Sequence, residues 1–346
     1  MKNHTLSRRQ VLLALPALVI APKAWTQATA KAPLAAKSFN HFMLSVSDVQ
    51  RSLQFYQGLL GMPVQARHGS TVLLRVGSGP QYIGLTPAGD NPPSISHCGL
   101  AIEDFDAARA MQALAANGVT KAADSDPGLA GGPMKVRQTM RGNTPEIFLG
   151  DPDGLVVQLQ DASYCGGTGA KGAVCKAEPS PKKGLLAVKD MNHATIQISD
   201  SQKTVDFYQA LFGIKVQGYQ APAGSSTAPF YGIGEGNQFV MFLGAPRREG
   251  APARPARIDH LCMSMDGFNP EAVTKTLNSY GLKSQGQGEP RGPMMTYTTL
   301  RMPNRGGAEA GTPELYFIDP DGLSIQLQDT TYCGGSGFLG ETCPAI

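Results

Sequence analysis

Apolar and polar positions along this chain alternate over short stretches, as they do in half-buried β-strands, and are interrupted by four stretches with helical spacing. Residues 40–46 read as a strand, and Asp48 then precedes apolar positions spaced three to four apart through Tyr56. An aspartate at this position caps a helix, and Gly61 would end it. Two or three strands are then predicted, including 72–76 and 82–85. This order is β-α-β-β-β.

The same order of elements recurs three more times. Residues 97–102 read as a strand, 106–116 as a helix that ends at Gly118, and 136–140, 146–149 and a stretch reaching Gln158 as strands. The second half of the chain repeats both modules. Its predicted strands lie at 191–199, near Phe230, at 239–243, at 257–265 and onward to Gln326, and its helices at 203–211 and 270–282. The pattern predicts an α+β fold of paired βαβββ modules.

One duplicated stretch confirms that the two halves of the sequence are related. Residues 144–167 and 312–335 are identical at about two thirds of their aligned positions. Each copy contains Asp-Pro-Asp-Gly, which favours a tight turn because proline presets φ and glycine tolerates positive φ. We interpret Asp151, Asp153, Asp319 and Asp321 as turn formers. In the strand that follows, Gln158 and Gln326 occupy matching positions.

Length and composition limit the class of protein. A chain of 346 residues, 41% hydrophobic and 16% charged, is long enough for two ordinary globular domains. A net charge of +3 without a basic cluster argues against nucleic-acid binding. The Pro-, Ser- and Lys-rich segment 176–187 reads as a linker. We therefore predict a first domain at 38–175 and a second at 188–346.

The N-terminal residues 1–30 read as an export signal and not as part of the fold. Ser7-Arg8-Arg9 precedes an apolar run from Val11 to Ala21, followed by small residues near Ala30. Paired arginines before such a run are typical of twin-arginine (Tat) signals, and the alternatives are an ordinary secretory signal or an uncleaved anchor. This pathway would deliver a folded protein to the bacterial periplasm, with the Tat machinery as a partner. No other stretch is long and apolar enough for stable membrane insertion after the signal is removed.

The cysteines support an oxidising destination. Of six, Cys165 and Cys175 are ten positions apart, as are Cys333 and Cys343. We predict disulfides within each pair, because this spacing lacks the close pairing of zinc-binding cysteines. The remaining two, Cys98 and Cys262, read as buried thiols.

Histidines and glutamines recur at matching strand positions. Asn40-His41 corresponds to Asn192-His193, Ser96-His97 to Asp259-His260, and Gln158 to Gln326. A single histidine in a strand is most often structural. Four histidines kept at corresponding strand starts, within sequence that has otherwise diverged, favour a metal site.

Together these motifs resemble the vicinal oxygen chelate superfamily of glyoxalases, bleomycin-resistance proteins and extradiol dioxygenases. The resemblance rests on Asn-His on the first strand, Phe-Tyr and Leu-Gly in the helix, His on the fifth strand, and Asp-Pro-Asp-Gly before the last. It covers nearly all of the chain after residue 38, twice. It implies two tandem domains whose mixed sheets curl round a cleft, with ligands from the first, fifth and last strands. The implied metal ligands are His41, His97 and Gln158 in one cleft and His193, His260 and Gln326 in the other.

The glutamines depart from the dioxygenase pattern. Dioxygenase-like members have a glutamate there, which completes a two-histidine, one-carboxylate Fe(II) site. Loss of one negative charge removes several kcal/mol of attraction for a divalent ion, even at an effective dielectric of about 20. We expect weaker Fe(II) binding, a preference for an ion such as Zn(II), or an empty site; Mn(II) is a further candidate. A standard glyoxalase I is not expected, because strands 81–85 and 238–242 have no carboxylate at its fourth ligand position.

Candidate catalytic residues lie in the second domain. The resemblance implies an active-site tyrosine at Tyr316, whereas the first domain has Phe148 there, so the second cleft is predicted to be catalytic. Glu314 is a candidate base, and Arg301 is a candidate for holding an anionic substrate. The alternative that we favour for Glu314 is a strand-end glutamate that lies in solvent or pairs with Arg301.

Three functions are compatible with this sequence. The leading hypothesis is an exported, metal-dependent enzyme, extradiol dioxygenase-like or related, that acts on a small oxygenated substrate chelated through neighbouring oxygens, for which aromatic compounds are one candidate class. The second is a non-enzymatic protein that sequesters a small ligand, as bleomycin-resistance proteins do. The third is an exported structural domain with vestigial sites.

Overall fold

A computed structural model describes residues 31–244 and 255–343. The described residues from Ala32 onward form one compact unit. The predicted export signal lies outside the described residues. Within them, no helix is long and apolar enough to cross a bilayer.

The first repeat is a single mixed sheet with two helices. Its sheet order is β2-β3-β4-β1-β5-β9-β8-β7-β6, so β1, β5 and β9 lie at the centre. The element bounds are β1 Ala36–Val46, α1 Val49–Leu60, β2 Val64–His68, β3 Thr71–Arg75, β4 Tyr82–Pro87, β5 Ser94–Ile102, α2 Ala107–Ala116, β6 Thr120–Lys121, β7 Lys135–Arg141, β8 Thr144–Gly150 and β9 Val156–Asp161.

The second repeat has the same architecture. Its described strands form a sheet of order β11-β12-β13-β10-β14-β18-β17-β16-β15, with β10, β14 and β18 at the centre. The bounds are β10 Asp190–Gln197, α3 Ser201–Phe212, β11 Lys215–Tyr219, β12 Pro229–Gly232, β13 Phe239–Leu243, β14 Arg257–Met265, α4 Pro270–Ser279, β15 Lys283–Ser284, β16 Met295–Arg301, a 3-10 turn Pro303–Arg305, β17 Thr312–Ile318 and β18 Ser324–Asp329. The predicted α+β class with two tandem domains is confirmed.

The first helix of each repeat lies between a capping aspartate and a glycine. Asp48 accepts hydrogen bonds from the backbone amides of Gln50 and Arg51 in α1, and Asp200 accepts one from Lys203 in α3. Gly61 and Gly213 end these helices in the left-handed conformation. The helix predicted at 270–282 is shorter than expected. It ends at Ser279, because Gly281 adopts φ +106°, which breaks the helical path.

The Asp-Pro-Asp-Gly turns have a second role that the sequence did not reveal. Asp319, in the second repeat, accepts a hydrogen bond from the Tyr56 hydroxyl of α1 at 2.9 Å. Asp151, in the first repeat, accepts one from the Tyr208 hydroxyl of α3 at 3.1 Å. The outer aspartates also bind the opposite helix: Asp321 accepts from Ser47, Arg51 and Ser52, and Asp153 from Ser199 and Thr204. Each repeat therefore docks its turn onto the other repeat's helix.

The segments before β1 and β10 also contact the opposite repeat. The backbone amide of Leu34 donates to the carbonyl of Leu211 in α3, and that of Leu186 donates to Leu59 in α1. Both leucine side chains are buried. The predicted linker therefore has a packed end. Glu178, near its start, pairs with Val64 through backbone hydrogen bonds, whereas residues 181–183 are exposed.

Both predicted disulfides are confirmed. Cys165 bonds to Cys175 and Cys333 to Cys343, each closing the tail that follows the last strand of its repeat. Cys98 and Cys262 are buried free thiols, as predicted.

Candidate metal centre

The first site lies at the centre of the first sheet. His41 on β1, His97 on β5 and Gln158 on β9 come from three adjacent strands and are buried. His41 Nε2 lies 3.1 Å from Gln158 Oε1, and the two imidazole rings are 5.6 Å apart at nearly a right angle. Gly99 makes room for the His41 ring, because a Cβ there would lie 2.2 Å from it. We call these three residues the first site.

The second site repeats this geometry. His193 on β10, His260 on β14 and Gln326 on β18 again lie on three adjacent central strands. His193 Nε2 is 3.0 Å from Gln326 Oε1, and the rings of His193 and His260 are 5.6 Å apart. Cys262, and not a glycine, pairs with His193 across the strands. We call this set the second site.

The first-strand histidines are held in one tautomer. Asn40 Nδ2 donates to the Tyr164 carbonyl, so Asn40 Oδ1 faces His41 Nδ1 at 2.7 Å. This oxygen accepts a hydrogen bond from the Nδ1–H group. Asn192 holds His193 in the same way, with its Nδ2 on the Tyr332 carbonyl. Each Nε2 therefore presents a lone pair toward the glutamine amide. This arrangement is typical of histidines that bind a metal through Nε2.

The donor set fits a divalent cation. Within the described residues, no group of three His, Cys, Asp or Glu side chains is placed to hold a metal ion, because the third position of each site is an amide. In the second site, however, His260 Nε2 and Gln326 Nε2 are buried and have no hydrogen-bond partner among the described residues. Leaving such an atom unpaired costs about 1–3 kcal/mol. His193 Nε2 and Gln326 Oε1 face each other as two acceptors. A cation bound by the imidazole lone pairs and the amide oxygen would replace this unfavourable contact.

Burial favours the neutral form of three imidazoles, those of His41, His97 and His193. Burial lowers the pKa of His41 and of His193 well below the ordinary value, and the neighbouring histidine lowers each further. Burial also lowers the pKa of His97 to about 4. The neutral imidazole is the form that binds a metal ion.

An arginine and a glutamate fix the tail behind the first site. Arg141 Nε donates to Glu146 at 2.8 Å, and its other nitrogens donate to the Gly166 and Gly167 carbonyls and to the Tyr164 hydroxyl. Tyr164 in turn donates to Glu146 at 2.7 Å, and its ring lies 6.1 Å from that of His41. The tail that follows β9 is thus anchored against the site.

The second repeat uses the same ion pair. Arg301 is fully buried and donates to Glu314 at 2.8 Å, so of the two alternatives for Glu314 the structure has the ion pair and not the solvent-exposed side chain. Its other nitrogens donate to the Gly306 and Gly335 carbonyls. The Tyr332 hydroxyl lies 3.3 Å from Glu314, and the Tyr332 ring stacks 5.6 Å from His193. Both side chains are engaged in holding the tail. Substrate binding by Arg301 and base chemistry by Glu314 stay predictions.

In the part of the chain that the structure describes, the second site has a row of tyrosines beside it that the first site lacks. Tyr297, Tyr316 and Gln326 are register partners across β16, β17 and β18. The two tyrosine rings stack at 4.9 Å, Tyr316 meets His260 edge-on at 5.3 Å, and Arg291 lies over Tyr297 at 3.8 Å. Both tyrosines are half-buried, so this side of the site is the more open one.

The corresponding row of the first repeat is different. Arg137, Phe148 and Gln158 are the register partners there. Arg137 turns away to donate to the backbone carbonyls of Gly128, Ala123 and Asp126. Phe148 meets His97 edge-on at 5.9 Å, without a hydroxyl.

The structure gathers the six predicted ligand residues into two groups of three, and their role as ligands stays a prediction. Tyr316 lies beside the second site, as expected. Sequence reasoning missed Tyr164 and Tyr332, which reach back toward the histidines. The signal was present, because Tyr-Cys-Gly-Gly is identical in both copies of the duplicated stretch.

Two mixed sheets in tandem, each gathering two imidazoles and an amide on its central strands, define the class of this protein. The family model of the Glyoxalase/Bleomycin resistance protein/Dioxygenase superfamily matches residues 38–159 and 190–327. The chain belongs to this superfamily. No protein with curated function matches the sequence.

Solved structures share this fold at low sequence identity. A Mn(II)-bound glyoxalase from Novosphingobium aromaticivorans is 13% identical with a TM-score of 0.57, over 85% of this chain and 82% of that one. A catechol 2,3-dioxygenase is 14% identical with a TM-score of 0.57, over 90% and 91%. A homoprotocatechuate 2,3-dioxygenase from Arthrobacter globiformis is 14% identical with a TM-score of 0.56, over 86% and 80%. At these identities the likeness establishes the fold.

Proposed function

We propose that this protein is an exported, metal-dependent enzyme of the superfamily, related to the extradiol dioxygenases, and that its second site is the reaction centre. The observation that carries this proposal is the buried, unpartnered Nε2 of His260 next to His193 and Gln326. Dioxygenases and a Mn(II)-bound glyoxalase among the proteins of the same fold support it.

His193, His260 and Gln326 would hold the ion, and a bound divalent ion supplies Lewis-acid chemistry to two neighbouring substrate oxygens. Fe(II), Zn(II) and Mn(II) are the candidates. A neutral amide in place of a carboxylate leaves more positive charge at the site. This favours polarisation of the substrate or proton transfer over activation of dioxygen.

The aromatic row suits a planar substrate. Tyr316 and Tyr297 would form one wall, against which an aromatic ring can pack. Burial raises the pKa of Tyr316 well above its ordinary value, so its hydroxyl stays protonated and can donate a hydrogen bond to a substrate oxygen. Glu314 and Arg301 would position Tyr332 beside His193.

We propose the periplasm as the location. Two disulfides form in the chain, and such bonds persist in oxidising compartments. The predicted twin-arginine signal is compatible with this. Export can be tested by fractionating cells that express the full chain and by locating the processed N-terminus.

Metal content is the decisive measurement. Purified protein that begins at residue 31 is incubated anaerobically with Fe(II), Mn(II) or Zn(II), desalted and analysed. We expect at least one ion per chain. A content far below one ion for all three metals would overturn the proposal. Loaded protein is then mixed with catechol in air-saturated buffer, so that O2 is the oxidant, and consumption of catechol that His260→Ala abolishes would support dioxygenase-like catalysis.

The alternative function is ligand binding without turnover. The neutral amide at the third position of both sites favours it, because the charge of the dioxygenase-like site is missing. Stoichiometric binding of catechol that leaves it chemically unchanged would support this alternative and contradict the enzymatic one.

A further inference from the structure

The histidines on the fifth strands have different neighbours in the two repeats. In the second repeat, Asp259 Oδ2 accepts from His260 Nδ1 at 3.1 Å. In the first, the group beside His97 Nδ1 is the Ser96 hydroxyl at 3.4 Å. That hydroxyl itself donates to the Met43 carbonyl, which leaves it only as a weak acceptor for the imidazole.

Asp259 belongs to a group of three residues that the first repeat lacks. Gln197 Nε2 donates to Asp259 Oδ1 at 2.8 Å, and Arg257 donates to the same oxygen at 3.3 Å. Gln197 and Arg257 are register partners on β10 and β14. In the first repeat the corresponding three positions are all serine, Ser45, Ser94 and Ser96, with Ser45 and Ser94 again register partners.

The group leaves one carboxylate oxygen dedicated to the histidine. Gln197 and Arg257 both bind Oδ1, so Oδ2 is directed to His260. Three N–H donors, from Gln197, Arg257 and His260, thus surround the Asp259 carboxylate, and such donors favour its charged form. The Arg257 side chain is 55% exposed, so solvent screens its charge.

A carboxylate in this place has two effects on a metal ligand. It fixes the proton on Nδ1, which keeps the Nε2 lone pair free, and it makes that lone pair more basic. It also returns a negative charge close to the site where Gln326 has removed one. At the second site the Asp259 carboxylate thus compensates for the missing charge of the glutamine ligand. The first site has Ser96 at this position and no such compensation.

We propose that Asp259 is a positioning residue that makes the second site the high-affinity metal site of this chain, and that the first site binds a divalent ion weakly. This inference rests on the proposed function, because both require a metal at the second site. It adds that the two sites differ in affinity and assigns the cause to one carboxylate.

Calorimetric titration with ZnCl2 tests this inference in the two-repeat protein. A His41→Ala/His97→Ala background retains only the second site, and His193→Ala/His260→Ala retains only the first. We expect tighter Zn(II) binding in the first background. Within it, Asp259→Ser, which copies the first repeat, and Asp259→Asn, which removes only the charge, should each lower the affinity about 10- to 100-fold.

The reciprocal variant guards against simple loss of folding. Ser45→Gln, Ser94→Arg and Ser96→Asp together transplant the group into the first repeat, and should raise Zn(II) affinity of the first site by a similar factor. Nitrogen-15 NMR of the apoprotein supplies a readout that a merely structural role would not move. His260 should be the Nδ1–H tautomer in the parent protein and should show more of the other tautomer in Asp259→Ser.

The outcomes separate this inference from the proposed function. Equal affinities of the two sites, or a second site unchanged within twofold by both Asp259 variants, would overturn the inference alone. Absence of Zn(II), Mn(II) and Fe(II) binding by the parent protein would overturn the proposed function and the inference with it.

Discussion

The two sites of this protein share their ligand residues and strands but differ in what surrounds them. Both place two histidines and a glutamine on three central strands, with an asparagine behind the first histidine. Around the second site are Asp259, Tyr316 and Tyr297, where the first has Ser96, Phe148 and Arg137. Both sheets thus place the same inner residues on their central strands, and the two sites differ in the side chains that surround them.

The largest expected effect is removal of a second-site histidine. His260→Ala should reduce metal binding at the second site by more than the roughly 100-fold that marks loss of a supporting residue, because it removes the ligand itself. The first site should be unaffected. Metal content and calorimetric titration measure both.

The matched variant is His97→Ala, which should remove only the weaker binding step. If His97→Ala instead abolished the tighter step, the assignment of the two sites would be reversed.

Substitution of the glutamines tests the ligand set directly. Gln158→Glu adds a negative charge whose attraction for a divalent ion is worth several kcal/mol at an effective dielectric of about 20. We expect metal affinity of the first site to rise at least about tenfold, which corresponds to 1.4 kcal/mol. Titration with Zn(II) and Mn(II) measures it.

At the second site the gain from Gln326→Glu should be smaller. The nearby Asp259 carboxylate raises the pKa of an added glutamate and so opposes its ionised form. If neither substitution changes metal affinity, the glutamines are not ligands and the proposed sites are wrong.

The disulfides should behave alike, because the tails are a part in which the two repeats agree. Replacing Cys165 and Cys175 by serine, or Cys333 and Cys343, removes the closure of a short loop that is worth about 2–3 kcal/mol. Urea unfolding should show this loss in either double variant. A variant that lacks both disulfides should be insensitive to reductant, since Cys98 and Cys262 are buried thiols.

The smallest effect concerns the turns that join the repeats. Burial raises the pKa of Asp151 and of Asp319 to about 6, against about 3.8 for the exposed group. A carboxyl whose pKa is higher in the folded state stabilises folding at low pH, and this contribution is lost as the pH rises through about 6. The hydrogen bonds from Tyr208 and Tyr56 oppose this rise in pKa.

Tyr56→Phe and Tyr208→Phe should therefore each cost about 1–2 kcal/mol at pH 7.5 and less at pH 4.5. Urea unfolding at the two pH values checks this, with the more exposed Tyr219→Phe as the control. Unequal losses in the free energy of unfolding would show that the two contacts stabilise the protein to different extents despite their similar geometry.

The two histidines and the glutamine of each site could be predicted because the internal duplication repeats them. His41, His97 and Gln158 recur at the same strand positions in the second half of the chain, and central strands bring such positions together. The role of Asp259 was not predictable. Aspartate before a histidine in a strand can point to solvent, and only its 3.1 Å contact with His260, supported by Gln197 from another strand, shows where the carboxylate lies.

Contacts between the repeats were hidden for a related reason. Asp151 and Asp319 satisfy their turns locally, by accepting backbone hydrogen bonds, and this alone accounts for their presence. Their bonds to Tyr208 and Tyr56 span more than fifty residues of sequence. Similarly, Leu186 reads as the end of a polar linker, because its partner in α1 is distant in the chain.

The exchanged turns and segments have a consequence for how this chain originated. The turn and the leading segment of each repeat contact the first helix of the other repeat. Such a reciprocal contact is the isologous interface of a twofold-symmetric homodimer. A single ancestral repeat could therefore have assembled with a second copy through the same surface. In the present chain, residues 176–187 convert that association into an intramolecular one. Cleavage within the exposed residues 181–183 should leave two fragments that remain associated.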